Sequence, residues 1–166
     1  MKTIKVLLLV LSICSLSLGC KKDSMPKPTQ TGANNMYAKV NGQPWKPKGC
    51  IGGCSEAFGV SYDNRINFGV SGRNSDQNIG ITIVLRNLKA IGTYELSSTN
   101  LDFGALDNSD SNFITTLNNK GTVTITKLDL DNKIISGTFE FTAEDKDNPE
   151  NTIRVTDGWF DGKYRF

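Results

Sequence analysis

Seven side chains in this chain have types and spacings suited to chemistry: Cys50 with Cys54, Asp129 with Glu140, Asp157 with Asp161, and Trp159. All of them work without histidine, because the chain has none. That removes Ser-His-Asp and Cys-His catalysis in their usual forms and every imidazole metal site. No glycine-rich phosphate loop follows a strand and opens a helix, and no cofactor is expected. Catalysis would rest on carboxylates, and Asp129 with Glu140 or Asp157 with Asp161 are the pairs on offer. Such a pair needs an enclosing cleft that raises the pKa of its acid member. On a polar strand face, solvated charges are routine. The expectation is therefore a chain that is not an enzyme, with a carboxylate-dependent hydrolase as the least favoured alternative.

The stretch Gly49-Cys50-Ile51-Gly52-Gly53-Cys54-Ser55 admits three readings. Two thiolates without histidine or further cysteine leave a zinc ion half-ligated. Redox motifs place two residues between their cysteines, where this stretch has three, and no helix follows to activate a thiol. A structural disulfide between Cys50 and Cys54 remains, in keeping with an exported protein. Gly52 and Gly53 let the chain curl tightly enough to bring the Cα atoms within about 7 Å.

Metal binding by oxygen has two candidate loops, Asp107-Asn108-Ser109-Asp110 and Glu144 to Glu150. Neither has the glycine placement and terminal glutamate of an EF-hand, and both read as turns rich in Asp and Asn. No metal is expected. Trp45 and Trp159 have faces that stack on sugar rings. Trp45 shares a face with Ala38 and Val40 and reads as core. Trp159 precedes Phe160, and adjacent strand residues point to opposite faces. One of that pair should be exposed or lie under a loop, which makes Trp159 the ligand-binding candidate.

The elements that position these residues are strands. Short alternating apolar runs are separated by Asn, Asp and Gly, and helical periodicity is nearly absent. Asn41-Gly42 predicts a two-residue type I′ turn that sets Val40 opposite Gln43 and Ala38 opposite Trp45. Pro44 donates no ladder hydrogen bond, so its strand belongs at an edge. A loop of Asp63-Asn64-Arg65 joins the Phe58 and Phe68 strands, and the polar run from Ser71 to Asn78 reads as a longer loop. Ile79, Ile81, Ile83 and Leu85 form a strand, and Gly92 to Leu96 another. Leu101 to Leu106 and Phe113 to Leu117 are weaker. Val123 and Ile125 point inward, but Leu128 and Leu130 fall out of phase with them. One extra residue at Lys127 restores the pattern, pairing Leu128 with Ile135, Ile125 with Gly137 and Val123 with Phe139. The last strands run from Thr152 to Val155 and from Trp159 to Phe166, broken at Asp157-Gly158. The fold class is all-β, an antiparallel β-sandwich or flattened meander barrel, with one domain over 36–166.

The amino terminus carries an address. Lys2 and Lys5 precede an apolar run from Val6 to Leu18 that is too short to span a bilayer and suits a signal-peptide core. Leu16-Ser17-Leu18-Gly19-Cys20 resembles the lipobox of bacterial lipoproteins. That likeness implies a signal peptide over 1–19, lipid on Cys20 and a membrane anchor. The plainer alternative is a secretory signal with an incidental cysteine. Lys21-Lys22-Asp23-Ser24 resembles a surface-export signal, or is simply a solvated linker head. Residues 20–35 read as a lipidated Cys and a flexible tether, rich in Pro, Thr, Gln and Asn. Fifteen tether residues reach about 50 Å when extended. Without Lys2 and Lys5 the 19 basic side chains fall to 17, equal to the 17 acidic ones. No basic field remains to attract nucleic acid.

Ala38-Lys39-Val40-Asn41-Gly42-Gln43-Pro44-Trp45, Gly92-Thr93-Tyr94, Gly121 to Asp129 and Ser136-Gly137-Thr138-Phe139-Glu140-Phe141 resemble the small lipoproteins of unknown function common in Bacteroidota. The resemblance implies an outer-membrane lipoprotein facing the periplasm or the cell surface, and it brings no activity with it. The functional expectation is a non-enzymatic binding or accessory domain at the cell envelope, for a glycan or a partner protein. A lipocalin-like barrel with a small-molecule pocket lined by Phe68, Ile81, Tyr94 and Phe139 is the rival.

Overall fold

The computed structural model describes residues 25–50, 56–63, 67–98 and 101–165. Cys20 and Cys54 lie outside the described residues. Cys50 is disulfide-bonded.

Among the described residues eleven strands form one antiparallel sheet: β1 (Asn35–Val40), β2 (Gln43–Trp45), β3 (Phe58–Tyr62), β4 (Asn67–Asn74), β5 (Ile79–Arg86), β6 (Gly92–Leu96), β7 (Phe103–Asp107), β8 (Asn112–Ile114), β9 (Gly121–Asp129), β10 (Ile134–Asp145) and β11 (Thr152–Lys163). The order is β2-β1-β11-β10-β8-β7-β5-β4-β3, with β9 on β10 and β6 on β9. Strand β10 belongs to both halves. Its residues 134–141 pair with β9, while Glu144 and Asp145 pair with β8. The sheet folds over there into two facing layers, β6-β9-β10-β11-β1-β2 and β8-β7-β5-β4-β3. At the far side Arg165 bridges β3 in parallel, its N–H donating to Val60 O and its carbonyl accepting from Tyr62 N–H. The result lies within the expected class, a sandwich drawn toward a flattened barrel.

Alternation fills the space between the layers. Met36, Trp45, Phe68, Ile81, Ile83, Leu85, Ile125, Ile135 and Phe160 are all essentially buried. Phe68 of β4 meets Phe160 of β11 with ring centroids 5.6 Å apart. Trp45 is core, and its indole N–H donates across the layers to Ile79 O at 3.2 Å. Gly72 lies where a Cβ would come within 2.8 Å of Trp45 and Pro47.

The Asn41-Gly42 turn has both residues at positive φ, 47° and 81°, and pairs Val40 with Gln43 and Ala38 with Trp45. Strand β2, with Pro44, is an edge. In the β9–β10 hairpin Leu128 faces Ile135, Ile125 faces Gly137 and Val123 faces Phe139, with the register shift between Ser136 and Gly137. The extra residue falls at Thr126–Lys127, as the phase slip requires.

Three expectations change. Ser71 to Asn74 are strand, because Gly72 pairs with Ile81 and Asn74 with Ile79. Their polarity marks the solvent face and a loop contact, Asn74 Nδ2 donating to Lys46 O at 2.8 Å. Tyr62 faces Phe68, so the β3–β4 connection is two residues longer than expected. An even shift keeps every side chain on its face. The break at Asp157-Gly158 is a bulge inside the continuous strand β11. Asp157 takes φ 53°, and Phe139 faces Gly158 while Phe141 faces Val155.

Candidate functional site

The inward phase of β9 and β10 sends a second set of side chains outward. One row across the layer reads Glu95, Thr122, Glu140. The next reads Thr93, Thr124, Thr138, Trp159. Two concavities lie on this outer face. One of 310 Å³ is lined by Glu95, Lys120, Thr142 and Arg154, the other of 360 Å³ by Met25, Pro28, Asp157 and Trp159. Both are also lined by Thr122 and Glu140, so together they make one trough running from β6 to β11.

The trough is mixed in charge, and its charged and hydroxyl groups alternate with apolar ones, Phe141 and Val155 in one concavity and Phe139 and Trp159 in the other. Lys120 Nζ lies 3.2 Å from both Glu95 carboxylate oxygens. The Ser97 hydroxyl and then Lys120 hold the Glu95 carboxyl below its usual range. Lys39 Nζ meets Asp157 Oδ2 at 2.9 Å, and that hydrogen bond raises the Lys39 pKa. The Thr93 and Thr124 hydroxyls lie 2.8 Å apart. By strand spacing, Glu95 and Glu140 stand about 10 Å apart at their Cα atoms, with Thr122 between them.

The segment before β1 forms one wall. It was expected to be free tether, but from Pro26 it is docked on the outer face of β11. Trp159 is 3 % exposed, and its indole N–H donates to Pro26 O at 3.1 Å. Trp159, the candidate ligand-binding residue, lies under the docked segment and offers the trough an edge and not the open face expected of it. Two residues on, Asp161 is wholly buried. Its Oδ2 accepts from the Thr29 hydroxyl at 2.6 Å, Thr31 N–H at 2.9 Å and Ala33 N–H at 3.1 Å. Its Oδ1 accepts from Gly32 N–H and the Ser136 hydroxyl, both at 2.8 Å. Burial pushes the Asp161 pKa up, but the bonds from Thr29, Ala33, Ser136 and Gly32 outweigh it and bring the carboxyl from 3.8 to about 2. Lys127 Nζ donates to Gln30 O at 3.1 Å, and Gln30 Nε2 to the Thr126 hydroxyl at 3.0 Å.

The carboxylate pairs are not brought together. Asp129 faces Ile134 and Glu140 faces Thr122, about 20 Å apart along β10. Asp129 instead accepts the Asn132 N–H of its own turn at 2.9 Å. Asp157 is held by Lys39, and Asp161 by the docked segment. In the acidic loops, Asn108 Oδ1 accepts from Asp110 and Ser111 N–H, both at 2.9 Å, and Asp145 Oδ1 from Asp147 N–H at 3.0 Å. These oxygens serve their turns. Among the described residues no three Cys, Asp or Glu side chains stand together as a metal site.

Sequence reasoning missed the Asp161 clasp. Its signal was an acid between buried aromatic and strand residues, Trp159-Phe160-Asp161-Gly162, with hydroxyls and a glycine at Thr29, Thr31 and Gly32. It also missed Arg154, Lys120 and Glu95, which look like ordinary surface charges until the sheet sets them around Thr122.

No curated protein and no solved structure matches the chain. A family model described as a domain of unknown function, DUF6252, matches residues 34–162, nearly all of the two-layered body, and the chain belongs to that family.

Proposed function

We propose that this protein is a lipid-anchored domain of the cell envelope, outer-membrane in location, that binds a glycan in the trough across β6, β9, β10 and β11 without turning it over. The trough carries the reading. Carboxylate, guanidinium, ammonium and hydroxyl groups alternate around Thr122 at the spacing of the strands. Such groups pair with sugar hydroxyls through directional, charge-assisted hydrogen bonds. The non-enzymatic reading is supported by the carboxylates Asp129 and Glu140, which stand about 20 Å apart along β10 and share no cleft. The small-molecule barrel has less support. Phe68 and Ile81 are wholly buried, and Phe68 packs on Phe160. The lipid anchor rests on Gly19-Cys20 and the apolar run before it.

A glycan array probed with the chain from Lys21 onward tests the binding. Retention of a glycan class, weakened at least tenfold by Glu140→Gln and by Arg154→Ala but not by Thr82→Ala on the opposite layer, is the expected result. Retention that ignores the trough substitutions, or capture of a protein in place of any glycan, overturns it.

A further inference from the structure

We infer that the Asp161 clasp shortens the amino-terminal tether to a leash, which lays the trough face of the protein along the surface of the membrane that holds its lipid. The inference rests on the anchor at Cys20 and deepens the proposed function, because it makes the glycan one displayed at headgroup level.

As an extended linker, residues 21–35 would reach about 50 Å, more than the diameter of the body, and would let any face meet the bilayer. Six bonds to the Asp161 carboxylate, five of them from Thr29, Thr31, Gly32 and Ala33, take that length away. Trp159 holds Pro26, and Met25 ends on the wall of the trough beside Thr124 and Thr138. Only the stretch from Cys20 to Met25 remains, at most about 17 Å long. A body of this size has a radius of gyration near 14 Å, roughly 35 Å across. A leash of half that width, leaving from the middle of one face, cannot reach around β6 or β2 to bring the β3-β4-β5 face to the bilayer. The face left nearest the lipid bears Thr93, Thr124, Thr138, Glu95, Lys120, Glu140 and Arg154. Its carboxylate, ammonium, guanidinium and hydroxyl groups stand around the apolar floor of the trough and suit it to lie among hydrated headgroups without inserting. Its occupant is the bilayer surface and the sugars displayed there.

The test uses the full lipidated protein, isolated from membranes and reconstituted in vesicles that contain a headgroup spin-labelled lipid. A fluorophore is placed through Thr93→Cys on the trough face or Ser71→Cys on the opposite layer. Quenching at residue 93 at least threefold above that at residue 71 is expected. Asp161→Asn should bring the ratio toward one. A Gly-Ser segment of about twenty residues inserted between Ser24 and Met25 leaves the clasp intact and should do the same, so the outcome does not depend on that variant folding. A ratio near one in the parent protein, or a ratio that survives the insertion, overturns the leash. Failure of the protein to stay with vesicles overturns the anchor and the leash with it. The glycan array above is run on unlipidated chain, so its result stands or falls separately.

Discussion

Asp161 is a buried carboxylate that relies on neutral donors, with no cation paired to it among the described residues. Its stabilisation comes from hydroxyl and N–H dipoles already aimed at it, and these exceed the cost of burial. The shift from 3.8 to about 2 is worth about 2 kcal/mol. The folded pKa lies below the unfolded one, so that stability is complete well above pH 4 and drains away as pH falls from about 4 toward 2. Urea denaturation across this range should show the loss, and Asp161→Asn should flatten it. The variant should also cost about 2–3 kcal/mol at neutral pH, because an amide nitrogen cannot accept the bonds the second oxygen takes. A variant as stable as the parent at pH 7 would contradict this account of the clasp.

At the scale of elements, two bulges set which groups face the trough. The one at Thr126–Lys127 lets Val123 and Ile125 stay inside while Leu128 packs against the core edge. Deleting Lys127 would turn Val123 and Ile125 outward and Thr122 and Thr124 inward. The expected loss is far beyond the ±0.5 kcal/mol of a surface change, and a cooperative unfolding transition should no longer be seen. Beside this bulge the flanking strands β9 and β11 crowd Gly137 of β10. A Cβ on Gly137 would meet Thr124 O at 2.5 Å and the Phe160 ring at 2.8 Å. Gly137→Ala should therefore destabilise by about 1–3 kcal/mol in denaturant titration. The second bulge, at Asp157, steps β11 so that Trp159 and Asp161 rise on the outer face under the docked segment. Lys39 holds it there.

For the molecule as a whole, the folded body begins before the residues matched by the family. A chain starting at Met36 would strip Asp161 of Thr29, Thr31, Gly32 and Ala33, and Trp159 of Pro26. It should lose about 2–4 kcal/mol relative to one starting at Lys21, with a red shift in tryptophan emission. Asp161→Asn should cost much less in the shorter chain, since its partners are already gone. Equal losses in both backgrounds would place the destabilisation elsewhere.

Local chemistry in the sequence was sufficient for the class of fold, the Asn41-Gly42 hairpin and the pairing of Val123 with Phe139. Each depends on period-two alternation or on the φ demands of one turn, and both are written within a few residues. The same local view took Ser71 to Asn74 for a loop and the break at Asp157 for a strand end. It sees polarity and glycine, but not the Trp45 ring that needs Gly72 or the neighbours that carry β11 through its bulge. The site was legible only in fragments. Glu140 and Trp159 were singled out, the first beside a partner about 20 Å away and the second as an open surface. The trough and the clasp depend on contacts such as Glu95 across β9 to Glu140, or Thr29 to Asp161. Strand order and the docking of the amino-terminal segment decide those contacts, because hydrogen bonds between residues this distant in sequence form only once the two layers have closed.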